Sequence, residues 1–67
     1  MIIFNVKNLM EKQNLSRYRL QQLTNWNYKR INAYFFNKVI NVNVNELETL
    51  CDIFDCELSE LIERKKS

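Results

Sequence analysis

The chain contains neither glycine nor proline among its 67 residues, so every turn must be built from residues that carry a side chain. Ten asparagines are the obvious suppliers, because asparagine tolerates the left-handed backbone conformation better than most other non-glycine residues do. Asn14 and Asn25 each stand where an apolar pattern of helical spacing stops, and we expect both to adopt a positive φ. The sequence therefore predicts short helices that are separated by asparagine turns.

Residues Leu15–Lys38 hold two short helical patterns on either side of a polar turn at 24–27, and the rest of the chain is organised around them. Ser16 is placed to cap the first helix and Asn27 the second, because both side chains can accept a hydrogen bond from a free N–H in the first turn. This arrangement predicts a helix-turn-helix in which the chain's third helix spans about 28–36. The side chains predicted to face the core are Leu20, Leu23, Ile31, Tyr34 and Phe35.

The segments on either side of this unit are expected to supply its support. Residues 1–5 should be extended or lead into a first helix that starts near Val6. After the third helix, the segment 37–45 alternates polar and apolar residues but is too rich in asparagine to predict a strand. We expect an irregular connection there that buries Val42 and Val44.

The C-terminal part of the sequence predicts two more helices. Asn45 and Glu48 have the spacing of a capping box at the start of a fourth helix. A fifth helix is expected over 59–65, with its basic end matching the negative end of the helix dipole. The whole chain, 1–67, is predicted to be a single domain. The apolar stripe predicted for the fourth helix consists of Leu47, Leu50, Cys51 and Phe54.

The two halves of the chain differ in charge, although the net charge is only +2. Residues 12–45 carry six basic residues and no acidic one, whereas residues 46–63 carry seven acidic residues and no basic one. If the halves fold side by side, the protein has one basic and one acidic face. The basic face suits a polyanion such as nucleic acid.

The composition argues against several classes of function. With no histidine, no glycine-rich phosphate loop and no plausible nucleophile–base pair, an enzyme is not expected. Cys51 and Cys56 are too few ligands for a zinc site and are predicted to be reduced packing thiols. No metal, cofactor or small-molecule ligand is expected. The sequence has no apolar run of the roughly 20 residues that a membrane span needs, and Met1–Val6 lacks the basic start of a signal peptide, so a cytoplasmic protein is predicted.

The outer face of the third helix carries residue types that suit base edges in the major groove of DNA. Lysine and arginine can donate to guanine, asparagine can pair with two groups of adenine, and alanine permits close approach. The predicted base-contacting residues are Tyr28, Lys29, Arg30, Asn32 and Ala33. Cations and helix N-termini beside this face suit phosphate groups. The predicted phosphate-contacting residues are Ser16, Arg17, Arg19, Asn27, Asn37 and Lys38.

Several groups of residues carry a resemblance to a known family. They are Leu15-Ser16-x-Tyr18-x-Leu20, Thr24-x-Trp26-Asn27, Ile31 with Tyr34-Phe35, and the run from Val42 to Cys56 followed by Leu61-Ile62. This pattern resembles the Cro/CI-type (XRE-like) helix-turn-helix family, especially its compact stand-alone members. The resemblance implies an all-α, compact five-helix bundle of the lambda-repressor-like type with a central helix-turn-helix. It also implies a regulator, most simply a repressor or autoregulator, that binds double-stranded DNA.

The resemblance assigns particular positions to DNA. It implies DNA-reading residues at Arg17, Tyr28, Lys29, Asn32 and Ala33. The pair Asn37-Lys38 takes the place of the family's N-G-K backbone contact. The chain departs from the family pattern at Gln21, where the two helices touch and a small residue is usual. It departs again at Asn25 and Asn37, where glycine is usual.

A second function remains open, that of a protein-interaction domain (an antirepressor, an antitoxin-like partner or an adaptor) that keeps the fold without binding DNA. The basic stripe separates the two. DNA binding is favoured if Lys29 and Arg30 point into solvent beside Arg17 and Lys38, and it is disfavoured if Arg30 is tied to Glu11 or to the acidic helices. The apolar residues Phe36, Val39 and Ile40 follow the third helix and suggest a surface for a homodimer.

Overall fold

The computed structural model describes residues 1–66, in which five helices pack around one core and a single pair of short strands joins the two ends of the chain. This architecture confirms the prediction of an all-α, five-helix fold. The elements are β1 (Ile2–Phe4), α1 (Val6–Lys12), α2 (Arg17–Thr24), α3 (Tyr28–Phe35), α4 (Val44–Phe54), α5 (Leu58–Leu61) and β2 (Ile62–Arg64).

Left-handed residues end four of the five helices described. The φ angles are 55° at Asn14, 61° at Asn25, 60° at Asn37 and 51° at Asp55. The predictions for Asn14 and Asn25 are confirmed. Beyond three of these residues, the next backbone N–H bonds back to a carbonyl in the last helical turn, as from Lys38 N to Ala33 O at 2.7 Å. Asparagine and aspartate thus take the role that glycine has in most chains.

The core is built around Tyr34, which is fully buried. Its ring lies edge-on to Phe4 at 5.4 Å between centroids and stacks on Trp26 at 5.7 Å. These contacts join α3 to the first strand and to the turn before α3. The buried residues of the core are Phe4, Val6, Met10, Leu20, Ile31, Tyr34, Leu50, Phe54 and Leu61.

Three predictions of burial are wrong. Leu23 and Val42 are each 47% exposed, and Val44 is 71% exposed. The reason at Val44 is that α4 begins there, one residue after the cap Asn43, whose side-chain oxygen accepts a hydrogen bond from Asn45 N at 2.8 Å. A residue in the first position of a helix at the molecular surface has no core to face. The predicted capping box that starts at Asn45 is therefore also wrong.

The predicted fifth helix over 59–65 is wrong at its C-terminal end. The helix ends at Leu61, and the chain continues as β2, which pairs antiparallel with β1 and places Phe4 opposite Ile62. The backbone N–H of Asn5 also donates to Leu61 O at 2.7 Å. The hydrogen bonds that β1 offers replace those of further helical turns. This pairing secures the N-terminal segment beside the end of α3.

Asn37 stabilises the contact between β1 and the end of α3 through both its backbone and its side chain, and a pair of glycine variants can separate the two contributions. Its backbone is left-handed, and its side-chain oxygen accepts a hydrogen bond from Phe4 N at 2.9 Å. Asn14 is also left-handed, but its side chain is exposed. We expect Asn14→Gly to raise the free energy of unfolding by up to about 1 kcal/mol, because glycine relieves the steric cost of a positive φ.

Asn37→Gly should instead lower the free energy of unfolding by roughly 1 kcal/mol, because a partly buried N–H loses its acceptor. Urea unfolding of both variants measures the difference. Equal effects of the two substitutions would show that the Asn37 side chain contributes nothing to stability.

Candidate nucleic-acid interface

The helix-turn-helix is fixed at both helix starts by side-chain caps. Ser16 Oγ accepts a hydrogen bond from Arg19 N at 3.0 Å, and Asn27 Oδ1 accepts one from Arg30 N at 2.8 Å. Both predicted caps are confirmed. In each helix the remaining free N–H groups of the first turn leave a partial positive charge at the N-terminus, which attracts anions.

The turn between α2 and α3 is braced by side chains of α2. Gln21 Nε2 donates to Trp26 O at 3.0 Å, and Thr24 Oγ1 accepts from Trp26 N at 3.2 Å. Asn25 supplies the left-handed residue that α2 needs to end. The long side chain at position 21, where the family pattern has a small one, thus spans the turn as a hydrogen-bond donor. The helix-turn-helix accommodates each of these departures from the family pattern.

The outer face of α3 is accessible along its length. Tyr28 is 44% exposed and Phe36, the residue that caps the C-terminus of the helix, is 52% exposed. Lys29 is exposed, whereas Asn32 and Ala33 are half-buried. Four of the five predicted base-contacting residues therefore share one accessible surface, because residues three or four apart lie on the same side of a helix. Phe36 also belongs to this surface, as its spacing from Tyr28 and Asn32 indicates.

The predicted base-contacting residue Arg30 has a different environment. Its Nε donates to both carboxylate oxygens of Glu46, at 3.0 and 3.1 Å, and its Nη2 donates to Asn41 O at 2.7 Å. The hydroxyl of Tyr34 donates to the same carboxylate at 2.8 Å. Arg30 thus ties α3 to the first turn of the acidic helix α4 and is not one of the free cations of the outer face. The contact with Glu46 therefore counts against DNA binding and favours the interaction domain, whereas the exposed position of Lys29 favours DNA binding.

The Arg30–Glu46–Tyr34 cluster shifts the pKa of each member. The hydrogen bonds from Arg30 lower the pKa of Glu46, and the same contact raises the pKa of Arg30. Burial, together with the hydrogen bond to Glu46, raises the pKa of Tyr34 to about 12. Around neutral pH the cluster therefore holds an ion pair and a neutral phenol.

Glu46→Gln is expected to lower the free energy of unfolding at pH 7 by roughly 1–2 kcal/mol. This is less than for a fully buried pair, because the side chains of Arg30 and Glu46 are 28% and 19% exposed. A carboxyl with a depressed folded-state pKa adds stability above its ordinary pKa of 4.5 and loses it as the pH falls through the folded-state value.

The difference between wild type and Glu46→Gln should therefore shrink below pH 4.5. Urea unfolding measured between pH 7 and pH 3 tests this. Glu48→Gln, an exposed position on the same helix, is the control and should change the free energy of unfolding by less than about 0.5 kcal/mol. A Glu46→Gln effect that does not vary with pH would contradict the assigned ion pair.

Arg17 and Asn32 contact each other across the helix-turn-helix. Arg17 Nη1 donates to Asn32 Oδ1 at 2.8 Å. The guanidinium carbon of Arg17 lies 4.8 Å from the ring centroid of Phe35 and 5.4 Å from that of Phe36. Sequence reasoning missed this link and the role of the two phenylalanines, because no local pattern pairs residues that lie 15 positions apart.

Three other predicted phosphate-contacting residues, Arg19, Asn37 and Lys38, lie near the two ends of the helix-turn-helix. Arg19 is exposed in the first turn of α2, and Lys38 is exposed just after α3. Asn37 is exposed, but its side-chain oxygen is occupied by Phe4 N. Arg19 and Lys38 are thus accessible to an anion beside the outer face of α3.

Outside this surface, a groove of about 520 Å³ lies between α4 and α5. Cys51 and Cys56 line it as free thiols, and burial followed by the neighbouring Cys51 raises the pKa of Cys56 to about 11. Within residues 1–66, no group of three or more potential metal-binding side chains is found. No helix in that range is both long and apolar enough to cross a membrane.

Comparison with known proteins identifies the family. The family model of the Cro/C1-type HTH DNA-binding domain matches residues 5–67, nearly the whole chain. None of the curated proteins matches the sequence significantly. The match agrees with the capped helices, the left-handed turn at Asn25 and the accessible outer face of α3. The chain belongs to the family of Cro/C1-type helix-turn-helix DNA-binding domains.

Proposed function

We propose that the chain is a cytoplasmic, sequence-specific transcriptional regulator that inserts α3 into the major groove of double-stranded DNA. The observation that carries the proposal is the accessible face formed by Tyr28, Lys29, Asn32 and Ala33. This face belongs to a segment, 12–45, that has six basic residues and no acidic one. Polar groups there can meet base edges, and no like charge from the segment itself repels the phosphates.

Phosphate contacts around this face would set the register of the protein on DNA. We assign them first to the exposed cations Arg19 and Lys38 and to the helix starts capped by Ser16 and Asn27, which present positive charge without reading sequence. The amide nitrogen of Asn37 and the half-buried Arg17 are the two other side chains that we assign to this border of the face. With about 4–6 phosphate contacts, the logarithm of the binding constant should fall by roughly 4–5 for each tenfold rise in salt.

Regulation would follow from occupancy alone. A small domain that covers promoter DNA blocks access by other proteins, and this makes a repressor or autoregulator the simplest role. We propose no catalytic activity, because the family is one of DNA-binding domains and the accessible face offers hydrogen-bond donors and positive charge but no nucleophile–base pair.

A homodimer would extend this mode to two half-sites. Ile40, which lies beyond the end of α3, is 91% exposed, and an apolar side chain so open to water favours self-association. Two copies would then place their α3 helices about one DNA turn apart, roughly 34 Å. Light scattering behind size exclusion tests this directly, and a monomer at high micromolar concentration would exclude the dimer.

Selection from a pool of random DNA duplexes tests the proposed function. We expect a short motif to be enriched over several rounds, and its affinity to fall steeply as salt is raised. Enrichment that does not exceed that of an unrelated acidic protein would overturn sequence-specific binding. The interaction domain, which the Arg30–Glu46 contact favours, would then be the better explanation of the fold.

A further inference from the structure

Arg17 is held in a corner formed by two aromatic rings. Phe35 and Phe36 lie edge to face, with centroids 5.0 Å apart, and the guanidinium carbon of Arg17 is within 5.4 Å of both ring centres. Cation–π attraction of this kind restrains a side chain that would otherwise sample many rotamers. The guanidinium of Arg17 is therefore positioned before any DNA is bound.

This position fixes the orientation of the Asn32 amide. Arg17 Nη1 lies 2.8 Å from Asn32 Oδ1. A guanidinium can only donate hydrogen bonds, so the amide atom facing it must be the oxygen and not the nitrogen. The Asn32 amide therefore directs its Nδ2 away from Arg17. Its two N–H donors are the groups left for another partner.

We propose that Arg17 sets the base specificity of Asn32, so that the pair reads guanine and not adenine in the major groove. The proposal rests on the proposed function, since it assumes that α3 enters that groove. It also changes the role of Asn32, which as a free amide would be suited to adenine. In this inference Arg17 is a positioning residue for Asn32 in place of a phosphate contact, and it adds its own remaining N–H donors at the base edge.

The pattern of hydrogen-bond donors and acceptors in the major groove favours guanine over adenine as the partner of this pair. Guanine presents two acceptors, N7 and O6, whereas adenine presents one acceptor beside the N6 amino donor. The groups that Asn32 and Arg17 leave free are mainly donors, namely the Asn32 Nδ2 N–H groups and the remaining N–H groups of the Arg17 guanidinium, together with its positive charge. One lone pair of Asn32 Oδ1 remains available. An adenine amino group that bonded to it would place its N–H beside the N–H groups of the Arg17 guanidinium, and two sets of donors repel each other. Guanine has no amino group at this edge, so this repulsion does not arise.

Selected DNA sites can test this pairing. Selection with wild type and with Asn32→Ala identifies the base pair that Asn32 reads, because only that position should lose its preference in the variant. We expect guanine there, with affinity about fivefold or more above that for adenine. In Arg17→Met the amide of Asn32 is free to turn, so this ratio should fall below about twofold or reverse in favour of adenine. Arg17→Gln should give the same change, because a glutamine amide can either donate to or accept from Asn32 and so no longer fixes the orientation of its amide.

Arg19→Met is the matched control, because it removes an exposed cation from the same first turn of α2 without contacting Asn32. It should weaken binding to all sequences and leave the guanine preference as it is. Circular dichroism confirms that each variant is folded. Adenine at the Asn32 position in wild type, or a guanine preference unchanged in both Arg17 variants, would overturn the inference. Failure of wild type to select any motif would instead overturn the proposed function.

Discussion

Replacing Tyr34 with alanine is expected to lower the free energy of unfolding by about 3–5 kcal/mol. The ring is fully buried between Phe4 and Trp26, so its removal leaves a cavity where β1, α3 and the turn meet. A domain of this size has a total stability of only roughly 3–10 kcal/mol. Thermal unfolding followed by circular dichroism should therefore find the variant largely unfolded, or its Tm lowered by more than about 12 °C.

Two tyrosine variants divide this effect into its parts. Tyr34→Phe keeps the ring and removes only the hydroxyl that donates to Glu46, so it should cost about 1 kcal/mol. Tyr18→Ala removes a tyrosine that is 61% exposed and should change stability by less than about 0.5 kcal/mol. A Tyr34→Ala variant as stable as Tyr18→Ala would mean that the core is not organised around this ring.

Lys29→Ala is expected to weaken binding to the selected DNA by about 1–3 kcal/mol, or roughly 5- to 150-fold in Kd. The side chain is exposed near the start of α3, where a recognition helix meets base edges. If Lys29 donates to a base, the variant should also lose its preference at one position of the site. Titrations of the selected duplex and of single-base variants measure both effects.

Lys12→Ala is the control for net charge, because Lys12 is exposed at the end of α1, outside the helix-turn-helix. It should have little effect on affinity and none on sequence preference. A phosphate-contacting residue would behave differently again, since its loss weakens binding to all sequences and reduces the salt slope by about one. Unchanged affinity in both Lys29→Ala and Arg17→Ala would contradict this mode of binding.

Local chemistry was sufficient to predict the helix-turn-helix. A cap needs one side-chain oxygen within reach of the N–H groups that follow it, so Ser16 and Asn27 could be identified from their positions alone. A left-handed turn without glycine needs asparagine or a close substitute, which led to Asn25. Both depend on a few consecutive residues.

Predictions failed where a choice depended on distant residues. The sequence after Leu61 is compatible with a helix, but β1 offers its backbone to this segment and a strand forms instead. Val44 has the apolar character of a core residue, yet α4 begins at that position and leaves it in solvent. Burial depends on where an element starts in space as well as on hydrophobicity.

At the candidate interface, too, some properties follow from the sequence and others depend on the tertiary structure. Its basic character and the residue types on α3 follow from the sequence, because charge and helical spacing are local properties. Only the tertiary structure decides which of these side chains are free. Arg30 lies at the start of α3 but is bound to Glu46, 16 positions further along. Arg17 and Asn32 are likewise brought together by the packing of α2 against α3.

The sequence by itself thus determined the two caps of the helix-turn-helix, the asparagine turns at Asn14 and Asn25 and the basic character of the surface, since each rests on interactions within a few residues. The strand pair, the Arg30–Glu46 tie and the orientation of the Asn32 amide were decided only by the tertiary structure. In each of these, hydrogen-bonding groups far apart in the chain satisfy one another. No local pattern specifies such partners, because they become neighbours only after the chain has packed.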